Sequence, residues 1–307
     1  MTWPSWNDGS FIIDGVGYIR DVVELPGGWS SGRAMLLDGD RGRAVVKRWP
    51  QPMMARGAAE SAALLALVGS RVAPRPLTIN GSLDPLHFAS QTITAQEFLE
   101  GRPPFMHRPI EETTLRAIGA RIAEMHATFR PTERALPVAN RLSDAFELLR
   151  LPAIRRDGLF DLIAQGLKMC ETSLPALTEC STGHIHGDLN FDNILCDDDG
   201  IRFIDFEFAR HDLRLLDLAM MRAPLRSAEG TLVVLPPRIQ VAVLDGYQAA
   251  AQTPFDDHEL ALLPTVSLMY FLMILRDLVA LDSLHWRKVL PAVAQLMRES
   301  SVSLRIA

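Results

Sequence analysis

Three oxygen-bearing side chains follow one another at a spacing that suits phosphate chemistry. Asp188 lies in the stretch HGDLNFDN (186–193), Asn193 follows five positions later, and Asp205 comes twelve residues after that. Short apolar runs around an Asp-Asp-Asp-Gly turn predict a hairpin between Asn193 and Asp205. Phosphoryl transfer needs one carboxylate that orients and deprotonates the attacking hydroxyl, and oxygen ligands that hold Mg²⁺ against the phosphates. The order therefore predicts Asp188 as the catalytic base and Asn193 and Asp205 as metal ligands.

Each of these residues also has an ordinary structural interpretation. A lone Asp in a loop is usually a turn or cap residue, and Asn193 could be a turn amide. Asp205 could be a solvent-facing strand residue. Its apolar neighbours Phe203, Ile204 and Phe206 imply burial, however, and burial makes an unpaired carboxylate costly. The ordered spacing of all three residues favours the catalytic interpretation.

The strings HGDLNFDN (186–193) and FIDFE (203–207) resemble the catalytic and metal loops of the aminoglycoside phosphotransferase/choline kinase family. The resemblance implies an α+β, two-lobed protein-kinase-like fold, with a small N-terminal antiparallel sheet lobe and a large, mainly helical C-terminal lobe. His186 resembles the family's histidine that braces the metal loop, and Glu207 stands where protein kinases often have Gly. Asp217 resembles a family Asp that hydrogen-bonds the catalytic-loop backbone, and an Asp at a helix N-terminus is an equal alternative.

The resemblance also implies a set of nucleotide-binding residues: Lys47, Glu60, Ser30, Ser31, Gln96 and Phe98. In kinases a strand lysine holds the α- and β-phosphates and is itself held by a helix carboxylate, and Lys47 lies thirteen residues before Glu60. The chain has only three lysines, and a compact ammonium fits between phosphate oxygens where a planar guanidinium would not. Ser30 and Ser31, in a glycine-rich turn, would cover the phosphates. The backbone from Gln96 to Phe98 would pair with adenine.

The elements that must position these residues change along the chain. Strand patterns at 18–25, 33–37 and 43–49 and a further strand at 87–99 predict an antiparallel sheet, and a helix is expected at 53–69. Gly101 and two prolines then mark a hinge. Beyond it the periodicity is helical, with stretches near 113–129, 141–151, 157–178, 212–223, 236–253, 257–279 and 285–300. We therefore expect a nucleotide-binding lobe over 1–99 and a helical lobe with the catalytic loop, metal loop and acceptor site over 100–307.

Composition limits the classes of partner. The formal charge is −6 without a basic block, which argues against a general nucleic-acid or anionic-membrane surface. The N-terminus lacks the pattern of a signal peptide, and the apolar run Leu260 to Leu275 is shorter than the ~20 residues of a membrane span. Three cysteines without a CxxC pair suggest neither a disulfide framework nor a zinc site. A cytoplasmic protein with a small-molecule partner is expected, and its oligomeric state stays open.

Together these features predict an ATP-dependent phosphotransferase, with GTP as a possible donor and Mg²⁺ as cofactor, acting on a small-molecule hydroxyl. An aminoglycoside-type or other antibiotic is the first acceptor expected. Choline or another amino alcohol, or a sugar or homoserine-type substrate, is the alternative. A catalytically silent kinase-like nucleotide-binding module is the alternative from another class, and the intact set of Lys47, Asp188, Asn193 and Asp205 argues against it because unused like charges are costly to crowd together.

Overall fold

The computed structural model describes residues 11–25, 33–88, 90–104, 110–129, 143, 145–156, 158–223, 225–226, 231–280 and 286–303. Its contacts divide the chain into two compact units. The first consists of Met1–Pro103 and Ile194–Arg210, and the second of Pro104–Asn193 and His211–Ala307. A sheet dominates the first unit and helices dominate the second, so the predicted α+β class is confirmed. The division of the sequence at residue 99 stays a prediction.

The first unit contains the predicted antiparallel sheet. Its strands are β1 (Ile19–Glu24), β2 (Arg33–Gly39), β3 (Arg43–Pro50), β4 (Leu86–Phe88) and β5 (Gln91–Glu97), in the spatial order β1-β2-β3-β5-β4. Helix α1 (Met54–Ala66) follows β3 through a 3₁₀ turn at Gln51–Met53. The central strand β3 pairs with β2 through Ala34 and Lys47, and with β5 through Lys47 and Thr94. Lys47 is thereby fixed in the middle of the sheet.

Alternation along β3 sends side chains to two faces. Ala44 and Val46 lie in an apolar core with residues of β2 and β5. Lys47 and Trp49 therefore lie on the opposite face, where α1 packs. A Cβ placed on Gly57 of α1 would be 2.5 Å from Trp49 Cδ1, so only glycine allows the helix to approach the strand this closely.

A second hairpin also belongs to the first unit. Strands β7 (Ile194–Asp197) and β8 (Gly200–Phe203) are antiparallel, with Ile194 opposite Phe203. Gly200 has a φ of +122°, which favours glycine at this turn. Arg102 forms an isolated bridge with Cys196, so the segment after β5 is hydrogen-bonded to this hairpin.

The described helices of the second unit are α2 (Glu112–Thr128), α3 (Pro152–Arg156), α4 (Phe160–Thr172), α5 (Leu174–Leu177), α6 (Leu215–Met220), α7 (Pro237–Ala250), α8 (Asp257–Ala280) and α9 (Trp286–Ser303). 3₁₀ turns cover Glu147–Arg150 and Phe191–Asn193. Two short strand pairs are also described: β6 (Thr182–Ile185) pairs with β9 (Arg210–Leu213), and β10 (Leu225–Arg226) pairs with β11 (Leu232–Val233).

Two expected helices differ from this structure. The stretch 157–178 is divided into α4 and α5 at Ser173, where Pro175 enters the first turn of the second helix and lacks the N–H needed to continue the first. The stretch 212–223 was expected to be helical from its start, which is wrong, because its first residues belong to strand β9.

Helix α8 is long and apolar enough to cross a membrane by length and composition, and 61% of its most apolar window is buried inside the protein. It packs against α4, α6 and α9. The core helix of a soluble protein passes the same test, so this helix is weak evidence for a membrane span.

Candidate active site

The predicted phosphate-binding lysine lies between two carboxylates in the first unit. Lys47 Nζ donates to Glu60 Oε1 at 2.5 Å and to Asp205 Oδ1 at 2.7 Å. Exposure of the side chains rises from 1% for Glu60 to 13% for Lys47 and 31% for Asp205. The cluster is therefore closed at the helix carboxylate and open to solvent at Asp205. The structure brings together three residues that are up to 158 positions apart in the sequence.

The three charges perturb one another. Burial disfavours the ammonium, but Glu60 and Asp205 outweigh it and raise the pKa of Lys47 above its ordinary value. Burial raises the pKa of Glu60, and Asp205 adds to this rise while Lys47 opposes it. The Lys47 ammonium is thus paired with two carboxylates, and burial disfavours the charged form of Glu60. Lys47 is the group that makes a charged Glu60 tolerable.

Asp205 has a backbone conformation that few residues adopt. Its φ is +67°, in the left-handed region where Asp and Asn are among the few non-glycine residues found. Such a conformation costs on the order of 1 kcal/mol and persists where surrounding contacts impose it. Here the pairing of Ile194 with Phe203 fixes the chain two residues before Asp205, and Lys47 holds its carboxylate. The strained backbone and the ion pair together aim this carboxylate.

The predicted catalytic loop lies in the second unit. Asn193 Nδ2 donates to the Asp188 carbonyl at 2.8 Å and to Asp188 Oδ2 at 3.2 Å, and Asn190 Nδ2 donates to the same Oδ2 at 3.4 Å. Since both partners of the Asn193 amide nitrogen are acceptors, the orientation of this amide is determined, and its oxygen is directed away from Asp188. The loop therefore presents a carboxylate that is held by amides, next to an oriented amide oxygen.

A buried aspartate holds the backbone just before Asp188. Asp217, which is fully buried in α6, accepts from the backbone N–H of His186 and of Gly187, both at 2.9 Å. It also accepts from His126 Nε2 at 3.0 Å. Burial acts to raise the pKa of Asp217, but the hydrogen bonds from His126 and from the Gly187 N–H outweigh it and lower this pKa. Asp217 is thus a carboxylate that braces the loop, and it makes none of the helix-cap contacts considered as its alternative role.

The conformation of Gly187 explains why this loop has glycine before Asp188. Its φ is +79°, and this conformation directs its N–H to Asp217 Oδ1. His186 is fully buried, and its Nδ1 lies 3.3 Å from the Asp188 N–H. The backbone on both sides of Gly187 is therefore fixed by polar contacts.

The predicted adenine linker, Gln96 to Phe98, begins within β5 and ends one residue after it. The N–H of Glu97 donates to the Arg75 carbonyl at 2.9 Å, and the N–H of Phe98 donates to the Arg43 carbonyl at 3.3 Å. The Arg43 guanidinium lies 4.5 Å from the centre of the Phe98 ring. Gln96 is buried and pairs with Val45 of β3. Their contacts with a nucleotide stay predictions.

The remaining expected site residues, Ser30 and Ser31, lie outside the described residues. Within the described ranges, no three or more His, Cys, Asp or Glu side chains form a metal-binding group. Lys47, Glu60 and Asp205 belong to the first unit, and Asp188 and Asn193 to the second.

Sequence reasoning missed a second contact from α1. Arg56, one turn before Glu60, lies 3.8 Å from the buried Glu207 carboxylate and 4.5 Å from the centre of the Phe208 ring. The i, i+4 spacing of Arg56 and Glu60 places them on the same helix face, which is the signal that could have identified this contact. Glu207, which stands where protein kinases often have Gly, therefore has Arg56 as an ion-pair partner.

Comparisons with known proteins place these features in a family. A model of the phosphotransferase enzyme family, APH, matches residues 21–263. No curated protein sequence matches the chain. Three solved structures of similar fold are an amicoumacin kinase in complex with AMP-PNP, Ca²⁺ and Ami, a choline kinase from Cryptosporidium parvum Iowa II, and the GDP and kanamycin complex of APH(2")-IIia.

The likeness to these structures extends over nearly the whole chain at low sequence identity. The amicoumacin kinase is 15% identical, with a TM-score of 0.66 over 93% of this chain and 90% of that chain. The choline kinase is 12% identical, with a TM-score of 0.65 over 94% of this chain and 90% of that chain. The protein in the GDP and kanamycin complex is 15% identical, with a TM-score of 0.64 over 92% of this chain and 94% of that chain. At these identities the likeness shows a shared fold.

Proposed function

Because the chain belongs to the phosphotransferase enzyme family, we propose that it transfers the γ-phosphate of ATP to a hydroxyl group of a small molecule. The observation that carries this proposal is the Lys47 ammonium held by the Glu60 and Asp205 carboxylates at 2.5 and 2.7 Å. A cation fixed in this way beside a solvent-open carboxylate suits the binding of a phosphate chain. An ordinary surface lysine would have no need of two carboxylates, one of them buried.

Each site residue has a role in this reaction. Asp188 would orient the acceptor hydroxyl and take its proton as the phosphorus–oxygen bond forms. Lys47 would hold phosphate oxygens of the nucleotide, with Glu60 holding Lys47. The backbone brace from Asp217 would keep Asp188 in place during the transfer. Positioning and charge stabilisation supply most of the rate enhancement, since the loose transition state of phosphoryl transfer requires little covalent chemistry from the protein.

The donor set fits Mg²⁺. The Asn193 amide oxygen and the Asp205 carboxylate are hard oxygen ligands, and the oriented amide and the aimed carboxylate are the features expected of ligands. Asn193 directly precedes the β7–β8 hairpin in the sequence and Asp205 follows it by two residues, which supports the proposal that the two belong to one metal site. Bound Mg²⁺ would neutralise charge on the phosphates.

The linker at the end of β5 would hold the base of the nucleotide. The N–H groups of Glu97 and Phe98 already have carbonyl acceptors, whereas Leu99 N–H has no acceptor within the described part of the chain. We therefore expect the Leu99 N–H to donate to adenine beside the predicted contacts of Gln96 and Phe98. GTP is the alternative donor, since the structures of similar fold hold AMP-PNP in one case and GDP in another.

For the acceptor we propose an aminoglycoside-type or other antibiotic. The amicoumacin and kanamycin complexes of similar fold support this choice, and the choline kinase supports an amino alcohol as the alternative. A sugar or homoserine-type substrate is a further alternative. The negative net charge is compatible with a cationic acceptor and with no nucleic-acid or membrane partner, and we propose a cytoplasmic location.

The test is a screen for nucleotide-dependent gain of phosphate mass over aminoglycosides, peptide antibiotics, choline, amino alcohols and sugars, with ATP and GTP in parallel. Asp188→Asn should lower turnover by a factor of about 10² to 10⁴, as expected for loss of a general base. Asp198→Asn is the matched control, because it removes a carboxylate from the exposed turn between β7 and β8. Equal activity of wild type and Asp188→Asn would refute the role of Asp188. Binding of Mg-ATP without phosphorylation of any acceptor would favour the silent module.

A further inference from the structure

A buried chain of polar groups leads to the aspartate that braces the catalytic loop. Arg214 Nη1 lies 3.3 Å from the Tyr247 hydroxyl, this hydroxyl lies 3.0 Å from His126 Nδ1, and His126 Nε2 lies 3.0 Å from Asp217 Oδ2. The side chains of His126 and Asp217 are 2% and 0% exposed, and Tyr247 is fully buried. Four residues from three helices and a connecting turn thus form one line of contacts within the second unit.

The chemistry of the two ends determines where the protons lie. Arg214 can only donate, so the Tyr247 oxygen accepts from it. Asp217 is a carboxylate and can only accept, so His126 Nε2 carries the hydrogen. With the imidazole neutral, the Tyr247 hydroxyl donates to His126 Nδ1. Burial raises the pKa of Tyr247 to about 12, which keeps this hydroxyl protonated at neutral pH.

The arginine end of the chain is fixed independently. Arg214 Nη1 also donates to the carbonyl and the hydroxyl of Thr253, both at 2.9 Å, and Arg214 Nη2 donates to Ser181 Oγ at 2.7 Å. The ring of Tyr247 stacks on Phe255 at 4.8 Å with an interplanar angle of 12°. The hydroxyl of Tyr247 therefore has a defined position from which to hold the imidazole.

Two glycines allow the tyrosine and the histidine to meet. His126 is on α2 and Tyr247 is on α7. A Cβ on Gly119 of α2 would lie 1.9 Å from the Val243 carbonyl, and a Cβ on Gly246 of α7 would lie 1.9 Å from the Arg116 carbonyl. The two helix backbones are in contact at both glycines, which brings the hydroxyl within hydrogen-bonding distance of the ring.

We propose that Tyr247 is a positioning residue for Asp188, acting through His126 and Asp217. Its hydroxyl fixes the imidazole so that Nε2–H stays on Asp217, and Asp217 in turn holds the N–H groups of His186 and Gly187 that precede Asp188. The proposal rests on the proposed phosphotransfer at Asp188. It adds a residue on α7 whose hydroxyl contacts His126 and Arg214.

The variant Tyr247→Phe removes only the hydroxyl. We expect kcat to fall about ten-fold, as loss of one buried hydrogen bond in the brace would produce, with KM for the nucleotide changed less than two-fold. Tyr270→Phe is the matched control, since it makes the same change in a buried tyrosine of α8 outside the chain of contacts, and its kcat should stay within two-fold of wild type. A kcat of Tyr247→Phe within two-fold of wild type would overturn the proposal, as would an equal loss in Tyr270→Phe.

A double-variant cycle separates positioning through His126 from general packing. His126→Gln keeps an N–H donor for Asp217 but has no imidazole for Tyr247 to hold. In this background Tyr247→Phe should change kcat less than two-fold. A full ten-fold loss in the His126→Gln background would show that the hydroxyl acts by another route and would overturn the relay.

A spectroscopic measurement keeps the test independent of catalysis. In the full-length protein labelled with ¹⁵N-histidine, with the signal assigned by its disappearance in His126→Gln, we expect His126 to be protonated at Nε2 and to accept at Nδ1. In Tyr247→Phe the Nδ1 signal should move and the Nε2 proton should exchange faster with solvent. An unaltered His126 signal, or a wild-type proton on Nδ1, would overturn the relay. If no acceptor is phosphorylated by wild type, the proposed function fails, and this measurement still decides the relay.

Discussion

Removal of the Lys47 ammonium should destabilise the protein through the carboxylate it leaves behind. In Lys47→Met the methionine replaces a 13% exposed side chain with an apolar one of similar length, while Glu60, 1% exposed, loses the donor that lies 2.5 Å from its Oε1. Breaking a buried ion pair by removing one partner costs about 3–5 kcal/mol. Asp205, 31% exposed, can be solvated and adds little. We therefore expect a loss of about 3–5 kcal/mol in the free energy of unfolding at pH 7.

The double variant Lys47→Met/Glu60→Gln tests the cause. It leaves no buried charge at this position, so it should regain about 2–3 kcal/mol of the loss, a coupling typical of side chains in contact. Lys168→Met is a matched control, because Lys168 pairs with Glu171 on the surface of α4, with 74% of its side chain exposed. Exposed pairs contribute at most about 1 kcal/mol, so this control should unfold nearly as wild type does.

The loss in Lys47→Met should also depend on pH, with a sign that follows from Glu60. Burial and Asp205 raise the pKa of Glu60, and the variant lacks the lysine that opposes this rise. A carboxyl whose pKa is higher in the folded state contributes stability below its unfolded pKa and loses it as pH rises through the folded pKa. The deficit relative to wild type should therefore be larger at pH 8 than at pH 5. In wild type, where the pKa of Lys47 is raised, the pair persists until pH rises into the alkaline range.

Urea unfolding followed by circular dichroism at pH 5, 7 and 8 measures these differences. A loss below 1 kcal/mol for Lys47→Met at pH 7 would refute the buried-pair argument. A double variant as unstable as the single one would show that the loss comes from packing of the lysine stem. A deficit that grows as pH falls would show that Glu60 is charged without help from Lys47.

Three further variants test other contacts. Asp217→Asn should lower kcat more than ten-fold and destabilise the protein by about 3 kcal/mol in urea unfolding at pH 7. The asparagine side chain lacks the negative charge, and its NH₂ group would be directed at the backbone N–H of His186 or Gly187, both of which need an acceptor. Since the pKa of Asp217 is lowered, its stabilisation is present above its unfolded pKa and is lost as pH falls through the folded one, so this deficit should shrink below about pH 4. Gly119→Ala should lower the unfolding midpoint although alanine favours helices, since the added Cβ would lie 1.9 Å from the Val243 carbonyl; an unchanged midpoint would show that α2 and α7 can separate at no cost. Gly57→Ala should raise KM for the nucleotide by displacing α1 from Trp49, and an unchanged KM would show that Lys47 does not depend on the position of this helix.

The sheet and most of the helices could be predicted from periodicity, because each pattern is local. Strands β1 to β3 and helices α1, α2, α7 and α8 lie where alternation or helical spacing placed them. Strand β9 was missed because its partner β6 is 25 or more residues away, and four residues show too short a pattern to distinguish strand from helix. Pairing over such a distance is determined by tertiary contacts.

In the candidate site, too, local contacts could be predicted from the sequence and long-range contacts could not. The order of Lys47 and Glu60 identified a lysine and its helix carboxylate, and the structure places them in contact. The contact of Lys47 with Asp205 joins residues 158 positions apart and has no local signal. For Asp217 the sequence favoured two roles equally, a brace of the loop at His186 and Gly187 and a cap of a helix. The choice between them depends on which backbone N–H groups lie near the Asp217 side chain. Those groups belong to His186 and Gly187, thirty or more residues earlier.

The rarity of lysine in this chain acquires a physical reason at Lys47. Arginine supplies nearly all the positive charge, and its planar fork suits pairing with a carboxylate through two parallel hydrogen bonds. At Lys47 two carboxylates approach one nitrogen. One belongs to Glu60 on α1, and the other belongs to Asp205, two residues after the end of β8. An ammonium can donate to both at once and keep a third hydrogen for a phosphate oxygen. A guanidinium would need a wider gap between α1 and β3, and Gly57 against Trp49 closes that gap. The choice of lysine and the glycine one turn before Glu60 are therefore two parts of the same constraint on how closely the helix approaches the sheet.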